Sequence, residues 1–215
     1  LNRIIIMVES IPRGRPLVHA NQEQQKAKLL FAAQELLVEK SYRSITIREL
    51  AEGANVNSAM IRYYFGNKEG LFVALLDEMS EQFFTSLGQI HNTKNPLRSI
   101  IEVLIKRFSV NKGFARLVYD ELKASESQLS QAFIERFPKR MATILPQLIM
   151  DNTAIRDKKR ANYAAFSLMM LIITPFTAEP VRKIAWGISD DEIQSPVWAD
   201  HIYSLFMLGC DKDKI

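Results

Sequence analysis

The side chains best suited to specific contacts lie close together near residue 60, where Arg62 is followed by two adjacent tyrosines, Tyr63 and Tyr64. The segment has the length of a short helix, and an arginine with two tyrosines on such a helix is poor core material. Guanidinium and phenol groups donate hydrogen bonds, so the chemistry available here is recognition of a partner. The pattern therefore favours a contact surface.

The sequence lacks the residue sets that support catalysis. The three histidines, His19, His91 and His201, are scattered, and none has a partner at the spacing of metal ligands. We find no nucleophile–base pair, phosphate-binding loop or dinucleotide fingerprint. Cys210 is the only cysteine, which excludes an intrachain disulfide and suits a reducing cytosol. We therefore expect a protein that is not an enzyme and that uses neither a metal nor a cofactor.

The length of 215 residues and the balanced composition indicate a folded globular protein with room for two modest domains. The net charge is +4, and residues 1–72 hold ten Lys/Arg against seven Asp/Glu, so most of the excess lies there. A mild basic bias fits a polyanionic partner. The sequence has no secretory signal and no segment of transmembrane length. We expect a cytoplasmic protein, with Met7 as a candidate natural start.

Apolar residues recur at three-and-four spacing along most of the chain, and Gly and Pro number only eight each, so we predict an all-α fold. The first helix is expected to begin after a cap at Asn21 and to present Ala27, Leu30, Leu37 and the neighbouring apolar residues Phe31 and Val38. The predicted helices span residues 22–40, 46–54, 57–65, 67–90, 96–110, 113–124, a long stretch from 127 with kinks at Pro138 and Pro146, then 157–176, 181–186 and 196–210.

Two short helices near residue 50 carry clear end signals. Thr46 and Glu49 form a capping box for the first helix, and Asn57 caps the second. Asn55 lies between them and tolerates the left-handed backbone conformation that a tight turn needs. Two capped helices joined by a four-residue turn predict a helix-turn-helix. The first of these helices has one apolar stripe, made of Ile47, Leu50, Ala51 and Ala54.

Residues 26–72 resemble the DNA-binding domain of the TetR/AcrR family of regulators, over about a fifth of the chain. The family often has Gly, Tyr and His where this chain has Asn55, Arg62 and Tyr64. The C-terminal part resembles the family only in length and helical pattern. The matching residues are, in order, Leu30, Ala33, Leu36, Tyr42, Thr46 to Ala51, Ala54 to Asn57 and Ile61 to Leu71.

The resemblance implies that the helix-turn-helix binds DNA. Thr46, Tyr64 and Lys68 would contact phosphates, and Arg48 or Arg62 would pair with a guanine edge. The residues implied to face the major groove are Arg48, Ser58, Ala59, Met60, Arg62 and Tyr63. Simpler interpretations remain open: Thr46 is also a helix cap, Lys68 is also an ordinary solvated lysine, and either tyrosine also fits a structural role against the first helix.

The resemblance also implies a division of the chain into three parts. Residues 1–20 would form a flexible basic arm, residues 21–72 the helix-turn-helix domain, and residues 73–215 a helical domain for ligand sensing and dimerisation. The arm contains Arg13 to Pro16, which would lie in a minor groove or remain a disordered tail.

The C-terminal domain is rich in Phe, Met and Tyr. Most of these residues belong in a core, but the resemblance implies that some line a cavity for an apolar or aromatic ligand. The polar candidates near that cavity are Arg107, Gln131 and Thr143. The candidate lining residues are Phe83, Phe108, Tyr119, Phe137, Met141, Tyr163, Phe166 and Met170.

The family forms dimers through its last two long helices, which correspond here to residues 157–176 and 196–210. The same residues could instead pack inside one subunit. The implied interface residues are Ala161, Ala165, Leu168, Ile172, His201, Leu205 and Leu208.

The expected function is that of a sequence-specific DNA-binding transcription regulator. We expect a homodimeric repressor that binds a palindromic operator and is released when a small molecule shifts the tilt of the helix at 67–90. The alternative is an architectural or protein-recruiting DNA-binding factor of the same fold that takes no ligand. Activation in place of repression also remains open.

Overall fold

The structure is a computed structural model that describes residues 15–88, 90–123 and 127–210. Over these ranges the chain forms twelve α-helices and no strand, which confirms the all-α prediction. Two short 3-10 turns connect helices at Tyr42–Ser44 and Ile90–Asn92. The α-helices are α1 (Arg15–Glu39), α2 (Ile47–Ala54), α3 (Ala59–Phe65), α4 (Lys68–Leu87), α5 (Pro96–Val110), α6 (Lys112–Lys123), α7 (Gln128–Arg136), α8 (Pro138–Asn152), α9 (Lys158–Thr177), α10 (Glu179–Trp186), α11 (Asp190–Gln194) and α12 (Pro196–Cys210).

The first helix begins earlier than expected. It starts at Arg15, so Asn21 lies inside α1 and does not cap it, and residues 15–20 of the expected arm are helical. Pro16 is compatible with this start because the first turn of a helix needs no N–H from its residues. Arg13 and Gly14 lie outside the described residues.

The long helix predicted from residue 127 is two helices. α7 ends at Arg136, Phe137 separates the pair, and α8 begins at Pro138. A proline disfavours the helical conformation in the residue before it and is well placed at a helix start, so the chain breaks here where we expected a kink. Pro146 does lie inside α8. The short helix α11 was missed, although Ser189 and Glu192 form a capping box at its start.

The inward face of α1 differs from the prediction. Leu29, Ala33 and Leu37 are buried, whereas Phe31 is 65% exposed and Val38 is also exposed. α1 packs against α2, α4 and α6. Gly53 of α2 faces Ala32 of α1, since a methyl group at Gly53 would meet Ala32 Cβ at 3.4 Å, an ordinary contact distance. Apolar residues occur on more than one side of α1, so their spacing alone does not decide which side faces inward.

The remaining helices extend the same core. α4 packs against α7, α8 against α9, and α5 against both α9 and α12. The buried apolar cluster runs without interruption from Leu29 on α1 to Cys210 on α12. Among the described residues no single helix is long and apolar enough to cross a bilayer; only α9 and α10 taken together pass that test, and they are bent by 77° at their junction.

Gly70 fixes the position of α3 against α4. A Cβ atom at this residue would lie 2.0 Å from the carbonyl oxygen of Phe65, the last residue of α3. We therefore expect Gly70→Ala to lower the free energy of unfolding by roughly 1–3 kcal/mol or more, because the backbone must shift to relieve the overlap. Urea denaturation followed by circular dichroism measures this change.

Gly53→Ala is the matched control, since Gly53 lies inside α2 and the added methyl meets only Ala32 at ordinary contact distance. Alanine favours a helix over glycine by about 1 kcal/mol, so this variant should be as stable as the parent or more so. Equal stability of Gly70→Ala and the parent would show that the close approach does not constrain the turn.

Candidate DNA-binding surface and effector cavity

The start of α2 is held by a reciprocal pair of hydrogen bonds. The Thr46 hydroxyl accepts from the Glu49 backbone N–H at 3.2 Å, and the Glu49 carboxylate accepts from the Thr46 N–H at 2.9 Å, which confirms the predicted capping box. Lys40, just after α1, forms an ion pair with the same carboxylate. Hydrogen bonds from the Lys40 ammonium and from Thr46 lower the pKa of Glu49 to about 2. Glu49 thus ties the first helix to the helix-turn-helix.

The turn between α2 and α3 takes the geometry expected of Asn55. Its φ of 51° and ψ of 50° are left-handed, and it is the one non-glycine residue with positive φ in the described part of the chain. Its N–H donates to the carbonyls of Ala51 and Glu52, which closes α2. The Asn57 side chain accepts from the Ala59 N–H at 2.8 Å and so caps α3 as predicted.

α3 presents most of its surface to solvent. Ile61 is its one fully buried residue, while Arg62 is exposed and Tyr63 is 68% exposed. Ser58 and Ala59 are also exposed at its start. Arg62 forms no hydrogen bond or ion pair with any described residue, which leaves its guanidinium available to a partner.

A shallow groove separates α2 from α3. Ile47 lies on its wall and is 45% exposed, so the prediction that Ile47 belongs to the buried stripe of α2 is wrong; Leu50, Ala51 and Ala54 alone form that stripe. Ile47 is the first residue of α2. Arg48 projects beside it with 87% of its side chain exposed and pairs with Glu52 one helical turn away, at 2.7 Å.

Two of the expected phosphate-binding groups are already engaged within the protein. The Tyr64 hydroxyl donates to Gln25 Oε1 on α1 at 2.9 Å. The Lys68 ammonium donates to the carbonyls of Tyr42 and Ile45 at 3.0 and 2.8 Å, and burial lowers the pKa of Lys68. Met60, which was expected to face the major groove, is half-buried. Tyr64 and Lys68 are thus bonded within the protein. These contacts correspond to the structural interpretation of both residues, although the ammonium keeps a third donor.

An apolar cavity of about 210 Å³ lies between the helices of the C-terminal part. Six of the eight side chains expected to line such a cavity are on its wall. Tyr163 is not, because it points into solvent from α9, and the side chain of Tyr119 lies outside the described residues. Gln131 and Thr143 are exposed and do not reach the cavity. The residues on the wall that the sequence pointed to are Phe83, Phe108, Phe137, Met141, Phe166 and Met170.

Sequence reasoning missed two phenylalanines that complete the cavity wall. The Phe114 and Phe137 ring centroids are 4.9 Å apart, and the rings of Phe133 and Phe137 stack at 5.7 Å. Phe114 and Phe133 are absent from the predicted lining residues, because spacing along separate helices does not reveal which rings meet. Arg107 is the polar candidate that does lie on the wall.

The outer faces of α9 and α12 form a second, open groove. Phe166, Leu171 and Leu205 line it and are exposed, as is His201. Leu208 is also exposed, one turn beyond Leu205 on α12. These side chains form an apolar surface that one subunit leaves uncovered.

Four residues expected at a subunit interface are instead inside the subunit. Ala161, Ala165, Leu168 and Ile172 are all buried in the core of the single chain, so that part of the prediction is wrong. α9 is apolar on two sides, and the side with small residues packs against α5, α6, α8 and α12. The opposite side, which includes Phe166, is the one that faces outward.

Comparison with known proteins agrees with this arrangement. The profile of the family described as "Bacterial regulatory proteins, tetR family" matches residues 29–75, which cover α2, α3 and the adjoining parts of α1 and α4. The HTH-type transcriptional regulator YvkB of Bacillus subtilis, itself uncharacterised, is 31% identical over 190 residues, or 86% of this chain and 97% of that protein. The chain belongs to the TetR family.

Other TetR-family relatives match less of the chain or at lower identity. EthR of Mycolicibacterium smegmatis is 28% identical over 119 residues, and the match spans about half of each protein, 53% of this chain and 55% of EthR. The structure of FadR from Bacillus subtilis in complex with stearoyl-CoA superposes with a TM-score of 0.68 at 20% identity, over 85% of this chain and 98% of FadR. As a TetR-family member the chain is a DNA-binding transcriptional regulator.

The capping carboxylate Glu49 should make the stability of this regulator depend on acid pH. The folded pKa of about 2 lies below the ordinary value of about 4.3, so the stabilisation is complete above the ordinary value and is lost as the pH falls towards 2. We expect Glu49→Gln to lower the free energy of unfolding at pH 7, and the difference from the parent to shrink between pH 5 and about pH 2. Urea titrations across this range measure it.

Glu52→Gln serves as the control, because Glu52 pairs only with exposed Arg48 and such surface pairs contribute little. A difference between parent and Glu49→Gln that stayed constant from pH 7 to pH 2.5 would contradict a charge-dependent role for Glu49.

Proposed function

We propose that this regulator is a homodimeric repressor that binds a palindromic operator in the bacterial cytoplasm and is released by a small apolar or aromatic effector. The observation that carries the proposal is the apolar cavity between the helices of the C-terminal part, two of which also contact the recognition unit. A dimer bound across two major grooves covers DNA that other proteins need, which suits repression. The crystal structure of FadR, a protein of the same fold, in complex with stearoyl-CoA supports control by a small-molecule effector.

The DNA contacts are assigned to the exposed end of the helix-turn-helix. Arg62 and Tyr63 on α3 would enter the major groove together with Ser58, Ala59 and Met60. Arg48 on α2 would leave its ion pair with Glu52 and contact the DNA instead. Thr46, at the N-terminus of α2, would position the protein on a phosphate through backbone and dipole. Lys68 and Tyr64 are assigned mainly to holding α3 and α4 in place, because their polar atoms are already bonded.

The subunits would pair through the outward faces of α9 and α12. His201, Leu205 and Leu208 were expected at the interface and keep this role. Phe166 and Leu171 take the place of the expected α9 residues that are buried inside the subunit. Two copies of these helices related by a twofold axis would bury the open groove. With the subunits paired through α9 and α12, α2 and α3 of each subunit would remain outside the interface.

Two helices connect the cavity with the recognition unit. α4 runs from Lys68 beside α3 to Phe83 on the cavity wall. α6 contributes Phe114 to the wall, and its Arg116 donates to the Val38 carbonyl on α1 at 3.1 Å. An effector that prefers a different position of Phe83 or Phe114 would therefore shift α4 and α1 and change the separation of the two recognition helices.

The alternative of a DNA-binding factor that takes no ligand is less favoured. Such a protein would need a filled C-terminal core, whereas this one has the cavity beneath Phe83 and Phe114. A ligand that occupied the cavity without any change in operator affinity would support the alternative.

Arg62→Ala tests the recognition surface. We expect the affinity for an operator selected from a randomised DNA pool to fall about 5- to 150-fold, because one bidentate pair with a base is worth about 1–3 kcal/mol. Discrimination against mismatched DNA should fall with it. Fluorescence anisotropy at several salt concentrations measures both quantities.

Lys94→Ala is the matched control, since Lys94 is exposed between α4 and α5 and its removal changes the net charge equally. Equal loss in the two variants would indicate a general charge effect and would contradict a base contact by Arg62.

Leu205→Glu tests the subunit interface. A carboxylate in the middle of an apolar self-complementary surface meets its own copy and loses its water, so we expect the dimer to dissociate at concentrations at least tenfold higher than the parent. Analytical ultracentrifugation measures the change. Operator binding should weaken in parallel.

Val110→Glu places the same charge on an exposed apolar residue at the end of α5, away from the α9–α12 groove. It should leave the dimer intact. A Leu205→Glu protein that remains as dimeric as Val110→Glu would remove this groove as the interface.

A further inference from the structure

Arg107 is the one charged group on the wall of the apolar cavity. Its half-buried side chain lies on the wall among phenylalanine, methionine, leucine, isoleucine, alanine and proline side chains, and no other described lining residue carries a charge or a polar side chain. Almost none of the wall's surface is polar, so the guanidinium would have to turn inward to meet a ligand. A cation in such a place is expensive unless an anion or several acceptors compensate it.

The protein compensates Arg107 only in part. One terminal nitrogen donates to the Met79 carbonyl on α4 at 3.2 Å, and the guanidinium lies 5.7 Å from the centre of the Phe114 ring. The Nε atom is buried and has no hydrogen-bond partner. No described carboxylate lies within ion-pair distance of Arg107. This includes the carboxylate of Asp120 on α6, which itself has a buried oxygen without a hydrogen-bond partner.

Two arginines on neighbouring helices pair with carboxylates and so differ from Arg107. Arg140 on α8 lies over a phenylalanine ring as Arg107 does, 3.9 Å from the centre of the Phe84 ring, but it also pairs with Glu81 at 2.7 Å. Arg136 on α7 pairs with Asp77 of α4. Arg107 has no carboxylate partner of the kind that Arg136 and Arg140 have.

We propose that the missing partner is supplied by the effector, which is an apolar molecule with a carboxylate head that pairs with Arg107. Arginine suits this role because its N–H groups form a planar fork that matches a carboxylate. This inference rests on the proposed effector function and narrows it to organic acids. The pairing also gives the ligand a means of acting on the DNA-binding part, since Arg107 holds Met79 of α4 and touches Phe114 of α6.

The rest of the cavity limits the tail of this acid. Its volume of about 210 Å³ is below the roughly 300–1,000 Å³ usual for drug-sized ligands, so the tail is compact. Ring faces from Phe114, Phe133 and Phe137 suit an aromatic group. Met141 and Met170 are flexible enough to repack around a short alkyl chain instead. A ligand with either kind of tail would carry the same carboxylate head.

Matched acids and alcohols test the head group directly. We would titrate the full-length protein by calorimetry with 4-phenylbutyrate against 4-phenylbutan-1-ol, and with octanoate against octan-1-ol. The expected result for the parent protein is that at least one acid binds about tenfold or more tightly than its alcohol, which corresponds to ~1.4 kcal/mol. The better of the two pairs identifies the tail. This comparison needs no variant and does not depend on whether a mutant folds.

Variants then assign the preference to Arg107. Arg107→Met should abolish the preference for the acid and still bind the alcohol, and Arg107→Lys should keep part of the preference because the charge remains. Arg140→Met is the matched control, as it removes an arginine that also lies over a phenylalanine ring but is outside the cavity. It should keep the full preference.

The outcomes separate this inference from the proposed function. Alcohols that bind as tightly as acids and weaken operator binding would leave an effector-controlled repressor in place and overturn the carboxylate head. An acid preference that persists in Arg107→Met would overturn it as well. Failure of all four compounds to bind a protein that still binds its operator would remove the cavity as an organic-acid site, and with it both this inference and the support for a small effector there.

Discussion

The close contact between α6 and α1 is the constraint on which the rest of the molecule depends. A methyl group at Gly113 would lie 2.8 Å from Leu37 Cβ and 2.9 Å from the Leu37 carbonyl carbon, so the two helices touch with no side chain between them. Arg116, one turn further along α6, closes the contact on the Val38 carbonyl. With such packing α6 cannot move alone, and a displacement at Phe114 reaches the helix that supports α2 and α3.

The DNA-binding end is consequently organised around fixed supports. Lys40 and Glu49 join α1 to α2, Tyr64 joins α3 to α1 through Gln25, and Lys68 joins α4 to the chain that precedes α2. Each of these links uses a polar group from a different helix, so the recognition face can be displaced as a unit but not easily distorted. A regulator that changes the separation of two recognition helices needs this rigidity.

Local signals predicted the helix ends well, and long-range packing was beyond them. The capping residues Thr46 and Asn57 act within four residues of chain and cap as expected, whereas Asn21 lies inside α1. Which side of an apolar helix faces inward depends on the helices that reach it, so the predicted faces of α1 and α9 were wrong at Phe31 and at Ala161. The family resemblance implied the cavity and Arg107 was expected near it, but the missing partner of Arg107 could not be predicted, because it is a property of the packed structure.

α9 brings together the two surfaces on which control depends. Phe166 and Met170, one turn apart, line both the internal cavity and the open groove on the outer face of α9 and α12. Phe166 is 67% exposed although it belongs to the cavity wall. These two side chains are shared by the space for an effector and the surface proposed for the partner subunit. The shape of the cavity and the shape of the subunit interface are therefore coupled. A ligand in the cavity is expected to change the interface, and subunit pairing is expected to change the cavity.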